Sequence, residues 1–409
     1  MRPDHGVQVH VRVRRAPGQV QTRAAPVRFQ RSRHLISYWE DENLVIHNYA
    51  TGRSLTAPAR TAELLDFFEK WRSIEEFVAW LSCPAREARS LIDDLVAATL
   101  LQRSDRKASA EEASMAAWQP WNPAAGFFHN ATRNISFVDL FEGSRLLDEK
   151  ARTNRPPRAT KRYRGAPVHV LPPVSGDGDL PRALLARRTW RQFAKRAISL
   201  ENLGTLLGLT SGVQHWALVP GHGELPLKTS PSGGALHPIE VYLCARRVEG
   251  IEPGLYHYAS DAHCLELVKA QPRRVRVQRY LPTQYWYEGA AVLIFFTGVF
   301  ERYLWKYTYA RAYRAVLIEA GHQCQTFCLV ATWLGLAPFC SMALADSSIE
   351  ADLALDGISE SVLYAAGLGA RPAGAAVRSH PVDARPMTLR PNPRMPRPRR
   401  SRRCRRTSR

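Results

Sequence analysis

The sequence has no long apolar run, no paired cysteines and almost no acid at either end. Its longest apolar stretch, "AAVLIFFTGVF" from Ala290 to Phe300, has eleven residues. A bilayer-spanning helix needs about 20, so this β-branched, aromatic run predicts a buried strand and no membrane association. The first thirty residues contain no apolar segment of the kind a secretory signal requires. The seven cysteines, at 83, 244, 264, 324, 328, 340 and 404, include no CxxC pair. That argues against a disulfide framework and for free thiols in a reducing compartment. Cys324 and Cys328 stand one helical turn apart, but no nearby pair completes a zinc site. Core packing is expected there, with no metal centre, in a soluble cytoplasmic protein.

The missing acid is as informative. Residues 1–34 hold eight arginines and the single acid Asp4, and residues 371–409 hold thirteen arginines and the single acid Asp383. The net charge of +20 therefore belongs to the two ends, and the body between them is close to neutral. The last stretch, "RPNPRMPRPRRSRRCRRTSR", is rich in Pro and Arg without apolar periodicity and predicts disorder. Such a tail suits a solvated extension or an acidic partner. Nucleic acid is disfavoured for the chain as a whole, because "TAELLDFFEKWRSIEEF" carries at least as much acid as base.

What is present divides into units. Residues 1–34 read as a basic extension and 373–409 as the tail. Residues 35–105 read as a small winged-helix-like module. Two strands flank the Thr51-Gly52 turn, three short helices follow, and a strand begins near "TLLQRSD". Residues 106–179 read as a linker and helical segment with a Trp118/Trp121 patch. Residues 180–372 alternate helix and strand signals, including an N-cap at Ser199 and the nearly all-apolar helix "ARAYRAVLIEAGHQCQTFCLVATWLGL". Helices around an interior antiparallel or mixed sheet give an α+β class.

Three short motifs carry chemistry. In "RRTWRQF", Arg187, Arg188 and Arg191 are expected on neighbouring faces of a helix start, with the Thr189 hydroxyl between them. That donor set suits a phosphate dianion, although three arginines also make an ordinary solvated face. In "KTSPSGGALHPIEVYL", Ser230, Pro231, Ser232 and Gly233 precede a strand. Adjacent glycines let backbone approach a flat ligand closely, while the plain alternative is a tight turn. In "WKYTYARAYR", Lys306 and Tyr307 lie beside Arg302, Arg311 and Arg314 in the sequence. Neighbouring cations favour the neutral amine and the phenolate, as a general base requires. An amphipathic, aromatic helix entry would look similar.

Together with "GLYHYASDAHCLELV", these motifs resemble the SagB-type peptide dehydrogenases of the nitroreductase superfamily, in order and spacing, over roughly residues 180–370. The resemblance implies a nitroreductase-like FMN fold. It implies oxidation of thiazoline and oxazoline rings in a ribosomally made precursor peptide to azoles. In that chemistry a proton leaves the carbon beside the peptide carbonyl and a hydride leaves the neighbouring ring carbon. By the same resemblance Ser230, Pro231, Ser232 and Gly233 would contact the isoalloxazine, while Arg187, Arg188, Thr189 and Arg191 would grip phosphate and ribityl. Lys306 and Tyr307 would be the catalytic pair. A homodimer with flavin at its interface is implied, residues 35–105 would bind peptide, and the need for a cyclodehydratase partner stays open. One departure stands out. "APFCSMALAD" has Ala343 and Leu344 where the family usually has a glycine and an aromatic near the flavin. The rival readings are an oxidoreductase of the same fold with another substrate and a flavin-less scaffold that docks peptide.

Overall fold

The computed structural model of the chain describes residues 26–154, 177–219, 223–270 and 275–374. Nearly all of the Arg-rich tail, most of the basic extension and residues 155–176 of the expected linker and helical segment lie outside the described residues. The chain divides into two compact units that part between Ala108 and Ser109, with Tyr49–Gly52 grouped with the second.

The first unit contains β1 Arg28–Arg31, β2 Leu35–Glu40, β3 Asn43–Asn48, β4 Arg53–Ala57, α1 Thr61–Phe67, β5 Arg72–Ser73, α2 Ile74–Leu81, α3 Ala85–Ala97 and β6 Leu101–Arg103. Two three-stranded antiparallel sheets form, ordered β5-β1-β6 and β2-β3-β4. Helix α2 starts where it does because Ser73 and Glu76 form a reciprocal capping box. The unit's core gathers Phe29, Ile46, Phe68, Phe77 and Ile92. The central strand β1 lies ahead of the boundary expected at residue 35. Four residues flanked by arginines are too few to show a period, but Phe29 is buried.

The second unit contains α4 Ala110–Met115, α5 Ala124–Ala131, α6 Leu140–Thr153, α7 Asp179–Ala186, α8 Leu200–Ser211, β7 His215–Val219, β8 Gly223–Leu227, β9 Ile239–Ala245, β10 Gly254–Ala259, β11 Cys264–Ala270, β12 Val292–Val299, α9 Phe300–Leu304, α10 Ala312–Trp333, β13 Leu336–Ser341, α11 Asp346–Leu353 and β14 Glu360–Ala370. Its sheet is antiparallel throughout, ordered β11-β10-β9-β12-β14-β13. Strand β12 is the predicted apolar run. Ile294 and Phe296 point into the layer holding α8 and α10, and Leu293 and Phe295 into the opposite layer with Tyr280, Phe339 and Ile349. Burial on both faces explains why the run does not alternate.

Trp118 and Trp121, the patch expected in the linker and helical segment, are both fully buried in this unit's core, Trp118 edge-on to Phe300 at 4.7 Å. One expectation changes here: the segment "RRTWRQF" is not a helix start. Helix α7 ends at Ala186, Arg187 is already extended, and the Trp190 N–H donates to the Pro338 carbonyl at 3.0 Å. Docking beside β13 satisfies the backbone that a helix would otherwise have paired.

Candidate functional site

The loop between β8 and β9 departs from ordinary backbone. Gly234, Ala235 and His237 have φ of 66°, 54° and 41°, a conformation unfavourable for residues with a Cβ. Side chains hold it there. Ser232 Oγ accepts from the His237 N–H at 2.9 Å, buried Ser230 shares a 3.0 Å hydrogen bond with Thr326, and the Gly233 N–H donates to Glu319 Oε1 at 2.8 Å. Glu319 also accepts from the Tyr303 hydroxyl. Burial, followed by this carboxylate, pushes the Tyr303 phenol well above its ordinary value. The loop serines thus shape the loop, and Glu319 of α10 clamps it.

That clamp brings the loop to the predicted pair. A methyl group on Gly234 would lie 2.8 Å from Lys306 Nζ and 2.9 Å from the Tyr307 hydroxyl. The positive φ favours glycine there, and a Cβ would make the end of the Lys306 side chain shift away. Lys306 is exposed, with its ammonium 5.6 Å from the centre of the Tyr307 ring, and Tyr307 is half-buried. The Tyr307 carbonyl accepts from Trp121 Nε1 at 2.8 Å, and its ring lies between those of Tyr303 and Tyr309.

The arginines expected around that pair are partly engaged elsewhere. Arg302 pairs with Glu240 and donates to the His237 carbonyl at 2.8 Å. Arg311 and Arg314 line a cavity of about 510 Å³ with Phe128, Tyr313 and Leu317. A second cavity, about 400 Å³, opens beside the loop and is lined by Lys228, His237, Glu240, His257 and Arg302. Burial, then Lys228 and Arg302, pull His237 down to about 4, so it is neutral near pH 7. Burial also lowers Lys228. His257 is raised, chiefly by its bond to Glu240 at 3.2 Å.

The third predicted group stays apart. Among the described residues no hydrogen bond, ion pair or ring contact joins Arg187–Arg191 to the Ser230–Gly233 loop or to Lys306 and Tyr307. Arg188 folds back onto the Leu185 and Arg187 carbonyls at 2.8 and 2.7 Å, and Arg371 lies over Trp190. Trp190 Nε1 is buried without a partner among the described residues.

The decisive match is that of the family model described as "Nitroreductase family", which fits residues 184–370. That segment, a little under half of the chain, is similar to the nitroreductase family. A Methanocaldococcus jannaschii protein that bears a nitroreductase name is 29% identical over 170 residues, 42% of this chain and 81% of that one. The trifolitoxin-processing protein TfxB of Rhizobium leguminosarum bv. trifolii is 29% identical over 180 residues, 41% of this chain and 46% of TfxB. The microcin B17-processing protein McbC of Escherichia coli is 32% identical over 141 residues, 31% of this chain and 48% of McbC. The matched segment thus spans about half the length of each peptide-processing relative.

Within the matched segment, the divergent stretch after β13 is tied down. The Ala343 carbonyl accepts from Gln284 at 3.0 Å, and Leu344 is buried against the opposite layer of the sheet. Sequence reasoning missed Glu319, the only acid in the 22-residue helix α10. A lone carboxylate in a long, largely buried helix was the available signal, since buried acids occur almost only when paired.

Proposed function

We propose that the chain is an FMN-dependent dehydrogenase of the SagB type, oxidising thiazoline or oxazoline rings of a ribosomally made peptide to azoles. The observation that carries this reading is the contact between the strained Gly234 turn and both members of the Lys306–Tyr307 pair. It sets two proton-handling groups at the rim of a loop suited to a flat ring. The likeness to two peptide-processing proteins supports a peptide substrate.

The donor set fits FMN. Arg187, Thr189 and Arg191 are half-buried and make no side-chain hydrogen bond among the described residues, which suits a phosphate. Because one chain does not join these donors to the loop, the site is completed by a second copy. Exposed Ile318 and Trp333 on α10 give such a copy apolar surface to cover. Bound FMN would supply the hydride acceptor. The chain's own part is then to hold the ring against Gly233 and Gly234 and to take the proton from the carbon beside the peptide carbonyl. Lys306 or Tyr307 receives it, and Glu319 keeps the loop from collapsing onto them.

The test is flavin content followed by turnover. The expected result is a yellow protein with one FMN per chain that removes two hydrogens per azoline ring from a model peptide. Lys306→Ala and Tyr307→Phe should keep the flavin and lose on the order of 10²–10⁴ in rate. A colourless protein that does not take up FMN would overturn the reading.

A further inference from the structure

The three thiols of Cys324, Cys328 and Cys340 converge. Their sulfur atoms all lie within 4.8 Å of one another, two fully buried and the third partly so. The first two are placed by the i, i+4 spacing of α10, which puts them on one face. The third comes from β13, paired with β14 so that Cys340 faces Ala366. Nothing in the spacing of 328 and 340 announces this meeting, and the fold makes it.

Three buried thiols could be inert packing, since free cysteine behaves as a small apolar residue. Their surroundings are not those of inert thiols. The Tyr364 hydroxyl donates to Cys340 Sγ at 3.5 Å. Metal binding would displace their protons, since the thiolate is the ligand form.

We propose that Cys324, Cys328 and Cys340 form a three-sulfur site for a thiophilic closed-shell cation, with Tyr364 as a positioning residue. Soft thiolates without a carboxylate or imidazole select Cu(I) or Zn(II) over harder ions. A structural zinc site takes four protein ligands, and among the described residues no fourth His, Cys, Asp or Glu joins the three. The ligand count therefore favours trigonal Cu(I), with Zn(II) requiring an exogenous fourth ligand. Sulfur spacing fits either ion: bonds of about 2.3 Å put ligands roughly 4 Å apart.

The experiment uses the full chain, reduced and stripped of metal, without air. Cu(I) is titrated against a chromophoric Cu(I) chelator and Zn(II) against a zinc-responsive dye, with X-ray absorption of the loaded protein. One equivalent of either ion, with three sulfur neighbours, supports the site and identifies which ion it prefers. Cys328→Ala and Cys340→Ala should abolish that equivalent, and Cys83→Ala and Cys264→Ala should leave it. Tyr364→Phe should weaken it about tenfold, the scale of a lost outer-shell hydrogen bond, while leaving the three-sulfur spectrum in place. It also keeps the test open should the cysteine variants not fold. Two results would overturn the proposal: stoichiometric binding no tighter in the natural chain than in the folded cysteine variants, or a disulfide among the three in freshly prepared protein.

Discussion

The strained loop and the thiol cluster both rest on α10, yet they were written into the chain differently. The loop is contiguous: "SPSGGALH" carries its turn formers, its glycines and its capping serine within eight residues. The thiol cluster is dispersed, two residues on a helix and one on a strand beyond it. A composition that is wrong for ordinary loops announces the first. The second exists only because β13 folds back beside the helix that precedes it. A single buried carboxylate, Glu319, sits between these cases. It is visible as the lone acid of α10, but its partners, the Gly233 N–H and the Tyr303 hydroxyl, come from two other segments.

Perturbing α10 at its two stations sharpens that contrast. Glu319→Ala removes the acceptor of two donors, one from the loop and one from buried Tyr303. Unsatisfied buried groups and lost bonds to a charge give an expected loss of about 3 kcal/mol in urea unfolding. Cys324→Ala, little more than one turn further along the helix, should cost about 1 kcal/mol, the ordinary scale of a point substitution. Equal losses at the two positions would mean that Glu319 is no clamp. Next in size is Gly234→Ala. A left-handed φ costs a non-glycine residue about 1–2 kcal/mol, and the added methyl meets Lys306 and Tyr307. Stability should fall by that amount while peptide turnover falls much further. Parallel, modest losses of both would separate the turn from the chemistry.

Much of the architecture was legible because it follows from local patterns. The Ser199 cap, the apolar β12 and the length of α10 each rest on a few adjacent residues. The failures share a cause. The segment "RRTWRQF" has residues compatible with a helix, and only its docking against Pro338 makes it extended. Trp118 and Trp121 are visible in the sequence as a patch, but what buries them, Phe300 and Tyr313, lies far along the chain. The arginines near Lys306 are close in sequence, but Arg302 turns instead to Glu240. Proximity along a chain fixes where side chains begin, and their partners are chosen by tertiary contacts.

Two histidines of the second unit extend the comparison to pH, with opposite signs. His129 is buried, bonded to the Tyr313 hydroxyl and the Gly357 carbonyl at 2.8 Å each, and burial lowers it to about 3. Between an unfolded value near 6.5 and that folded value, the unfolded chain binds the extra proton. Its contribution is therefore complete above about pH 6.5 and declines by about 1.4 kcal/mol per unit as pH falls toward 3. Urea midpoints at pH 7 and 5.5 should show the decline, and His129→Gln should flatten it. His257 is raised by Glu240 and Glu266, so its contribution is complete below about pH 6.5 and lost as pH rises through the folded value. Being partly exposed, it gives the smaller effect. His257→Gln should remove a shallow decline that begins above about pH 6.5 while leaving the acid limb untouched. Loss of the acid limb in that variant would mean that the two histidines had been assigned the wrong way round.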